Sequence, residues 1–260
     1  MLLREPSPTQ ADLHFKLFGF PVRIHPYFWL IAVLLGLRGS STPPAQLMTW
    51  IATLLVSILV HELGHAFMQR HFGGRPWITL YAMGGLAACD DCDRSTRSQV
   101  LISLAGPVAG FLLALIVVMG ANLTGHLVGF IAPWIKPSLE MLGMEKVVLL
   151  ATSMGTIYWF PFESNNMNHL ISGLLQVNIL WGCVNLLPIY PLDGGHVARE
   201  LCQFWKPRQG IILSLQISMF CAAGMAILGF LSSGLFIALF FGYFAYMSYR
   251  TLQAYQTSAW

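Results

Sequence analysis

Of the 260 residues, 56% are hydrophobic and only 10% charged, with a mean hydropathy of +0.64 and a formal net charge of +3. That composition excludes an ordinary water-soluble domain and reads as an integral membrane protein, with the lipid bilayer as its surroundings and no nucleic-acid partner. The five cysteines show no disulfide framework.

Residues 1–17 carry Arg4, Glu5, Asp12 and Lys16 without a long apolar core, so no cleavable signal peptide is expected. The first span then serves as its own insertion signal. It follows a proline-punctuated entry over 18–26 and runs to Leu37, with Arg23 snorkelling and His25 at the interface. The second span, 47–70, contains His61-Glu62-Leu63-Gly64-His65. On a helix, positions four apart share a face, so both imidazoles can aim at one metal ion. Glu62 lies to one side, within reach of a water. This is the pattern of a zinc hydrolase, in which the cation acidifies water and the carboxylate takes its proton. An unpaired ionisable group in a lipid-spanning helix is costly, and a metal would compensate it. His71, if the helix simply continues, points away from the face shared by His61 and His65.

After the helix stop at Gly73-Gly74, residues 77–87 are rich in strand formers and break at Gly84-Gly85. A short hairpin at the membrane edge is expected, either holding an extended peptide along an unpaired edge or simply covering the site. Cys89-Asp90-Asp91-Cys92-Asp93 reads as a solvated loop, since one CxxC without a second pair is a weak zinc signal. Residues 100–122 form a third span whose Gly106-Pro107-Val108-Ala109-Gly110 permits close helix approach. The apolar segment 147–162 is expected to lie along or partly within the membrane. The fourth span, 170–187, carries Asn178 and Asn185 on one face, Asn178 for helix-to-helix bonding. It ends at Pro188 and Pro191, which unwind the chain near Asp193. His196, just beyond, is read as a supporting group or a boundary histidine. Spans at 211–231 and 235–249 bring the count to six.

Under this count Arg4, Lys16, Arg23, Arg70, Arg75, Arg94, Arg97, Arg199, Lys206, Arg208 and Arg250 share one side, and only Arg38, Lys136 and Lys146 the other. Both termini are then expected in the cytosol. The expected fold is an all-α polytopic membrane protein of about six transmembrane helices with a membrane-edge β-hairpin after the second. It is a single domain over 1–260, its zinc-site helices at about 47–195, with no separate soluble regulatory domain. Spans two and four bring His61, His65 and Asp193 to one depth on the cytosolic side, three ligands with a fourth position open.

These residues, with Met83-Gly84-Gly85-Leu86, Ser103-Leu104-Ala105-Gly106-Pro107 and Asn185-Leu186-Leu187-Pro188-Ile189-Tyr190-Pro191-Leu192-Asp193-Gly194-Gly195, make the chain resemble the site-2 protease family of intramembrane zinc metalloproteases. The resemblance covers most of 19–205. It implies that His61, His65 and Asp193 bind Zn2+, that Glu62 is the base, and that Asn185 steadies the oxyanion or the substrate backbone. It also implies a multi-pass protein of the cell membrane that cuts a transmembrane helix of a single-span or few-span membrane protein, with an oligomer or a regulatory membrane partner left open. A metal-binding membrane transporter or receptor using the same ligands without hydrolysis is the alternative. The lack of ionisable residues in spans three, five and six disfavours a permeation path. A zinc protease of the prenyl-protein type would normally take a glutamate as its third ligand.

Overall fold

Strict alternation organises the N-terminus. Leu13, Phe15, Leu17 and then Phe20, Val22, Ile24 form one face of β1 (Leu13–Leu17) and β2 (Phe20–Ile24), joined through Phe18 at φ +51° and Gly19 at φ +86°. Two successive positive φ values make a tight hairpin turn whose twist matches the strands. The segment 18–26, expected to be a mere lead-in to the first span, instead carries strand β2. The computed structural model describes residues 5–37, 42–135, 147–152, 155–232 and 234–257. Arg4, Arg38, Lys136 and Lys146, used above to orient the spans, lie outside them.

Next come α1 (Pro26–Gly36) and α2 (Pro44–His71). His25 caps α1, its Nδ1 accepting the Tyr27 N–H at 3.2 Å. Pro44 occupies the first turn of α2, where a missing N–H costs nothing, and Gly73 closes the far end at φ +87°. The expected hairpin is present as β3 (Trp77–Tyr81) and β4 (Gly84–Ala88), but Ala82 and Met83 make its turn and Gly84-Gly85 open the second strand. The four strands form one sheet in the order β1-β2-β3-β4, with β2 parallel to β3. Phe20, Val22, Ile24, Ile78 and Leu80 pack on Leu63 and Ala66 of α2 and on Phe28 of α1. The sheet is thus clamped to the helix that carries both histidines.

Ser95 caps α3 (Thr96–Leu123), its hydroxyl accepting the Ser98 N–H. At Gly64 the two long helices touch so closely that a Cβ would strike the Ala105 carbonyl and lie 2.8 Å from the Ala109 Cβ. Beyond α3 the chain differs from expectation. The region read as lying along the membrane contributes to an antiparallel sheet of β5 (Val128–Ile131), β6 (Val148–Thr152) and β7 (Gly155–Trp159), in the order β5-β7-β6. Trp159 is fully buried there against Ala114, Ile171 and Leu175. Its Nε1–H donates to Asn168. The structure is therefore mostly helical rather than all-α.

The fourth expected span starts earlier than its apolar core, as α4 (Asn165–Gln176), widens into a π turn at Val177–Trp181, and ends as α5 (Gly182–Asn185). After the Pro-rich turn come α6 (Asp193–Trp205), α7 (Gly210–Leu231) and α8 (Leu235–Thr257). Among the described residues four helices are long and apolar enough to cross a membrane: α2, α3, α7 and α8. Helix α1 has 11 residues, and the α4-to-α5 path is interrupted by its π turn. Cys89 and Cys92 are joined in a disulfide, so the absence of a disulfide expected from the cysteine count is corrected. Cys183, Cys202 and Cys221 are free.

Candidate metal centre

One turn of α2 places His61 and His65 side by side, with their Nε2 atoms 3.1 Å apart. Asp193, the first residue of α6, meets them from another part of the chain. Its Oδ2 lies 3.1 Å from His61 Nε2 and its Oδ1 3.3 Å from His65 Nε2. The sequence explains how the aspartate arrives. Gly194 and Gly195 let the start of α6 press against the backbone of Leu186, Leu187 and Ile189, where any Cβ would collide. Ser218 of α7 accepts the Tyr190 N–H at 2.8 Å and is itself 2.7 Å from Ser248 of α8, hooking the Pro-rich turn in place.

The donor atoms fit a tetrahedral cation. His65 Nδ1 is 2.7 Å from the Ile102 carbonyl. A carbonyl can only accept, so Nδ1 carries the proton and Nε2 turns a bare lone pair inward. Asp193 Oδ2 is buried and accepts no hydrogen bond. The lone pair of His65 Nε2 and the carboxylate oxygens of Asp193 face one another beside His61 Nε2, and a positive ion among them would relieve their repulsion. Bonds of about 2.0–2.1 Å arranged tetrahedrally put ligand atoms roughly 3.3 Å apart, close to the separations seen here. Gly106 of α3 completes the cradle, since a Cβ at that position would overlap His65 and lie 2.7 Å from His61 Nε2.

Glu62 is 5% exposed and stands against Gly85 of β4, where a Cβ would displace its carboxylate. These side chains border a cavity of about 440 Å³ that also meets Asn185, Asn178, His196, Trp181, Phe240 and Phe244. Asn185 is buried on that wall. Asn178 instead donates to Ser57 of α2 at 2.9 Å, the helix-to-helix bond expected of it. His196 lines the cavity with its ring 5.5 Å from Tyr190. His71 is exposed at the end of α2 beside Phe72, away from the centre. Asp90, Asp91 and Asp93 are exposed as well, and none borders the cavity. Cys89, Asp91 and Cys92 form a second gathering of donor atoms, but the disulfide removes both sulfurs as thiolate ligands.

Three contributors escaped the sequence reading. Gln69, one turn beyond His65, is 8% exposed, donates to the Ala87 carbonyl at 3.0 Å and leaves its Oε1 without a partner. Its spacing from His61 and His65 placed it on the metal face and was the available signal. Phe240 and Phe244 reach the cavity from α8, and nothing local in their helix marks them.

The profile of peptidase family M50 matches residues 49–232. The zinc metalloprotease MJ0392 of Methanocaldococcus jannaschii is 24% identical over 82% of this chain and 51% of its own length. The stage IV sporulation protein FB of Bacillus subtilis is 27% identical over 67% of this chain and 45% of its own. The chain thus spans about half the length of these relatives. The solved site-2 protease from Methanocaldococcus jannaschii superposes with a TM-score of 0.56 at 20% identity, covering 93% of this chain and 95% of that one. It shares the fold.

Proposed function

The chain belongs to peptidase family M50, and from that premise we propose that it is an intramembrane zinc endopeptidase whose metal is held by His61, His65 and Asp193. The observation that carries the proposal is the convergence of three lone-pair donors from α2 and α6 within 3.1–3.3 Å of one another, buried beside a carboxylate. When bound, zinc supplies a Lewis acid that acidifies water and polarises a carbonyl. Glu62 accepts the proton of the attacking water and returns it to the departing amide nitrogen. Asn185, on the cavity wall, donates its side-chain N–H to the carbonyl oxygen as negative charge develops there. Trp181, Phe240 and Phe244 make one wall of the cavity apolar.

The substrate is a transmembrane segment of a single-span or few-span membrane protein. A helix hides its carbonyls in hydrogen bonds, so the segment must open before attack. Strand β4 supports this step, because it ends the sheet and its residues 84–87 border the cavity beside Glu62. An extended peptide added to its outer edge at Gly85, short of the Ala87 carbonyl that Gln69 occupies, would lie along the centre.

Six crossings, with both termini in the cytosol, agree with the connectivity. Strand β2 pairs in parallel with β3, so the excursion through α1 and α2 leaves and returns on one side. The α4-to-α5 path of 21 residues (Asn165–Asn185) rises about 31 Å, enough to return the chain to the side of Asp193. The excess of Lys and Arg assigns that side, and the metal centre near it, to the cytosol of a cell-membrane protein. The whole chain then acts as one membrane-embedded unit.

Purified Glu62→Gln protein should retain zinc and lose cleavage of a single-span reporter by about 100-fold or more. Full cleavage by that variant would overturn the assignment. Zinc uptake into vesicles that survives the substitution would favour a transporter instead.

A further inference from the structure

The Cys89–Cys92 disulfide takes no part in the chemistry above, yet it closes the loop that leaves β4. Two residues earlier, the Ala87 carbonyl holds Gln69, and Gly85 stands against Glu62. Both sulfurs rest on Gly74, where even a Cβ would overlap them. On their other side lies a second open cavity of about 600 Å³ that Cys89 and Cys92 share with Arg94, Arg199, Gln99 and His196. Gln99 and His196 also border the metal-centre cavity. The bridge is therefore reachable from water on one face and adjoins the catalytic wall on the other. Arg94 and Arg199 share the open cavity with Glu200, and the Asp91 carboxylate lies 3.3 Å from the Cys89 sulfur, so Cys92, away from that carboxylate, is the better leaving thiolate.

We propose that Cys89–Cys92 is a thiol–disulfide exchange site for a small thiol of the glutathione class, and that opening it loosens β4 beside Glu62. One thiolate attacks a sulfur of the pair, forming a mixed disulfide and expelling the other cysteine as thiolate. A second thiol then displaces the first and leaves with it as the oxidised dimer. Two electrons pass from the two small thiols, and two protons end on Cys89 and Cys92. The reverse reaction consumes the oxidised dimer. Separated thiols need more room than a bridge, and Gly74 offers none. One sulfur must swing into the 600 Å³ cavity, and the strand loses the closed loop that ends it.

The test uses the full chain in detergent micelles, equilibrated with mixtures of reduced and oxidised glutathione. Maleimide labelling read by mass spectrometry follows positions 89 and 92, and hydrogen exchange follows the amides of 84–88 in the same samples. The bridge should open and close reversibly with the glutathione ratio, and exchange at 84–88 should rise at least threefold on opening. C89S/C92S should exchange at the fast rate at every ratio; if that variant does not accumulate, the titration of the unaltered protein decides alone. A bridge that stays closed in excess reduced glutathione, or opening with unchanged exchange, overturns the proposal. Neither readout uses cleavage, so failure here and failure of the protease reading are distinct results.

Discussion

Gly106→Ala adds one methyl group at the back of the metal centre. That methyl would lie 2.7 Å from His61 Nε2 and closer still to the ring of His65. Ordinary contact is about 3.5 Å, so the His61 ring must retreat by roughly 0.8 Å and the His65 ring by more. Metal–ligand distances tolerate about 0.2 Å. Neither ring has an easy escape, because His65 is anchored by its bond to the Ile102 carbonyl and Gly64 holds the two helices in contact. Zinc affinity should therefore fall by about 100-fold, roughly 2.8 kcal/mol. The helix itself gains little, since the advantage of alanine over glycine in a helix interior, about 1 kcal/mol, is opposed by the clash of a Cβ with the ring of Pro107 that follows. Competition with a chelator of known zinc affinity measures the loss, and circular dichroism checks that the protein remains folded. A folded Gly106→Ala protein that holds zinc as tightly as the unaltered chain would refute the reasoning.

Ser218→Ala leaves the Tyr190 N–H without its acceptor, at a cost of about 1–3 kcal/mol; zinc should leave faster during dialysis because the turn that delivers Asp193 is unhooked. Asn178→Leu breaks the buried bond to Ser57 and should lower thermal stability in detergent by about 1–3 kcal/mol while zinc content stays unchanged. At the N-terminal sheet, burial alone would raise the Glu5 carboxyl, but bonds from Thr79, Trp77 and Arg23 outweigh it and hold Glu5 below its ordinary value. Its contribution to stability is present above the unfolded-state carboxylate value and is lost as pH falls through the lower folded-state value. Protection from hydrogen exchange at 13–24, after allowance for the intrinsic rate at each pH, should fall over that acidic range, and Glu5→Gln should reduce the dependence to the part carried by Asp12, which also pairs with Arg23 at 3.1 Å.

The grouping of His61, Glu62, His65 and Asp193 was legible because these residue types have few other uses in lipid. Two histidines four apart beside Glu62, and an aspartate backed by two glycines that packing demands, leave little freedom in what they do. The strands were harder. Leu13 to Ile24 alternates as a hairpin should, but the charges before Leu17 and the prolines and apolar run after Phe18 made 18–26 read as a membrane entry. Residues 147–162 are apolar enough for a membrane surface, and their partner strand, Val128–Ile131, lies beyond any local window. The π turn at Val177–Trp181 sets Asn178 against Ser57 of α2, a contact between distant parts of the chain that no property of the turn's own residues announces. The disulfide was missed because two cysteines three apart carry no signal separating a bridge from free thiols.

X-ray absorption at the zinc edge of the purified protein tests the central claim most directly. Cation binding by His61, His65 and Asp193 predicts only nitrogen and oxygen neighbours at about 2.0–2.2 Å, with imidazole scattering beyond them. Sulfur neighbours at about 2.3 Å would instead put the metal on cysteine and contradict the account.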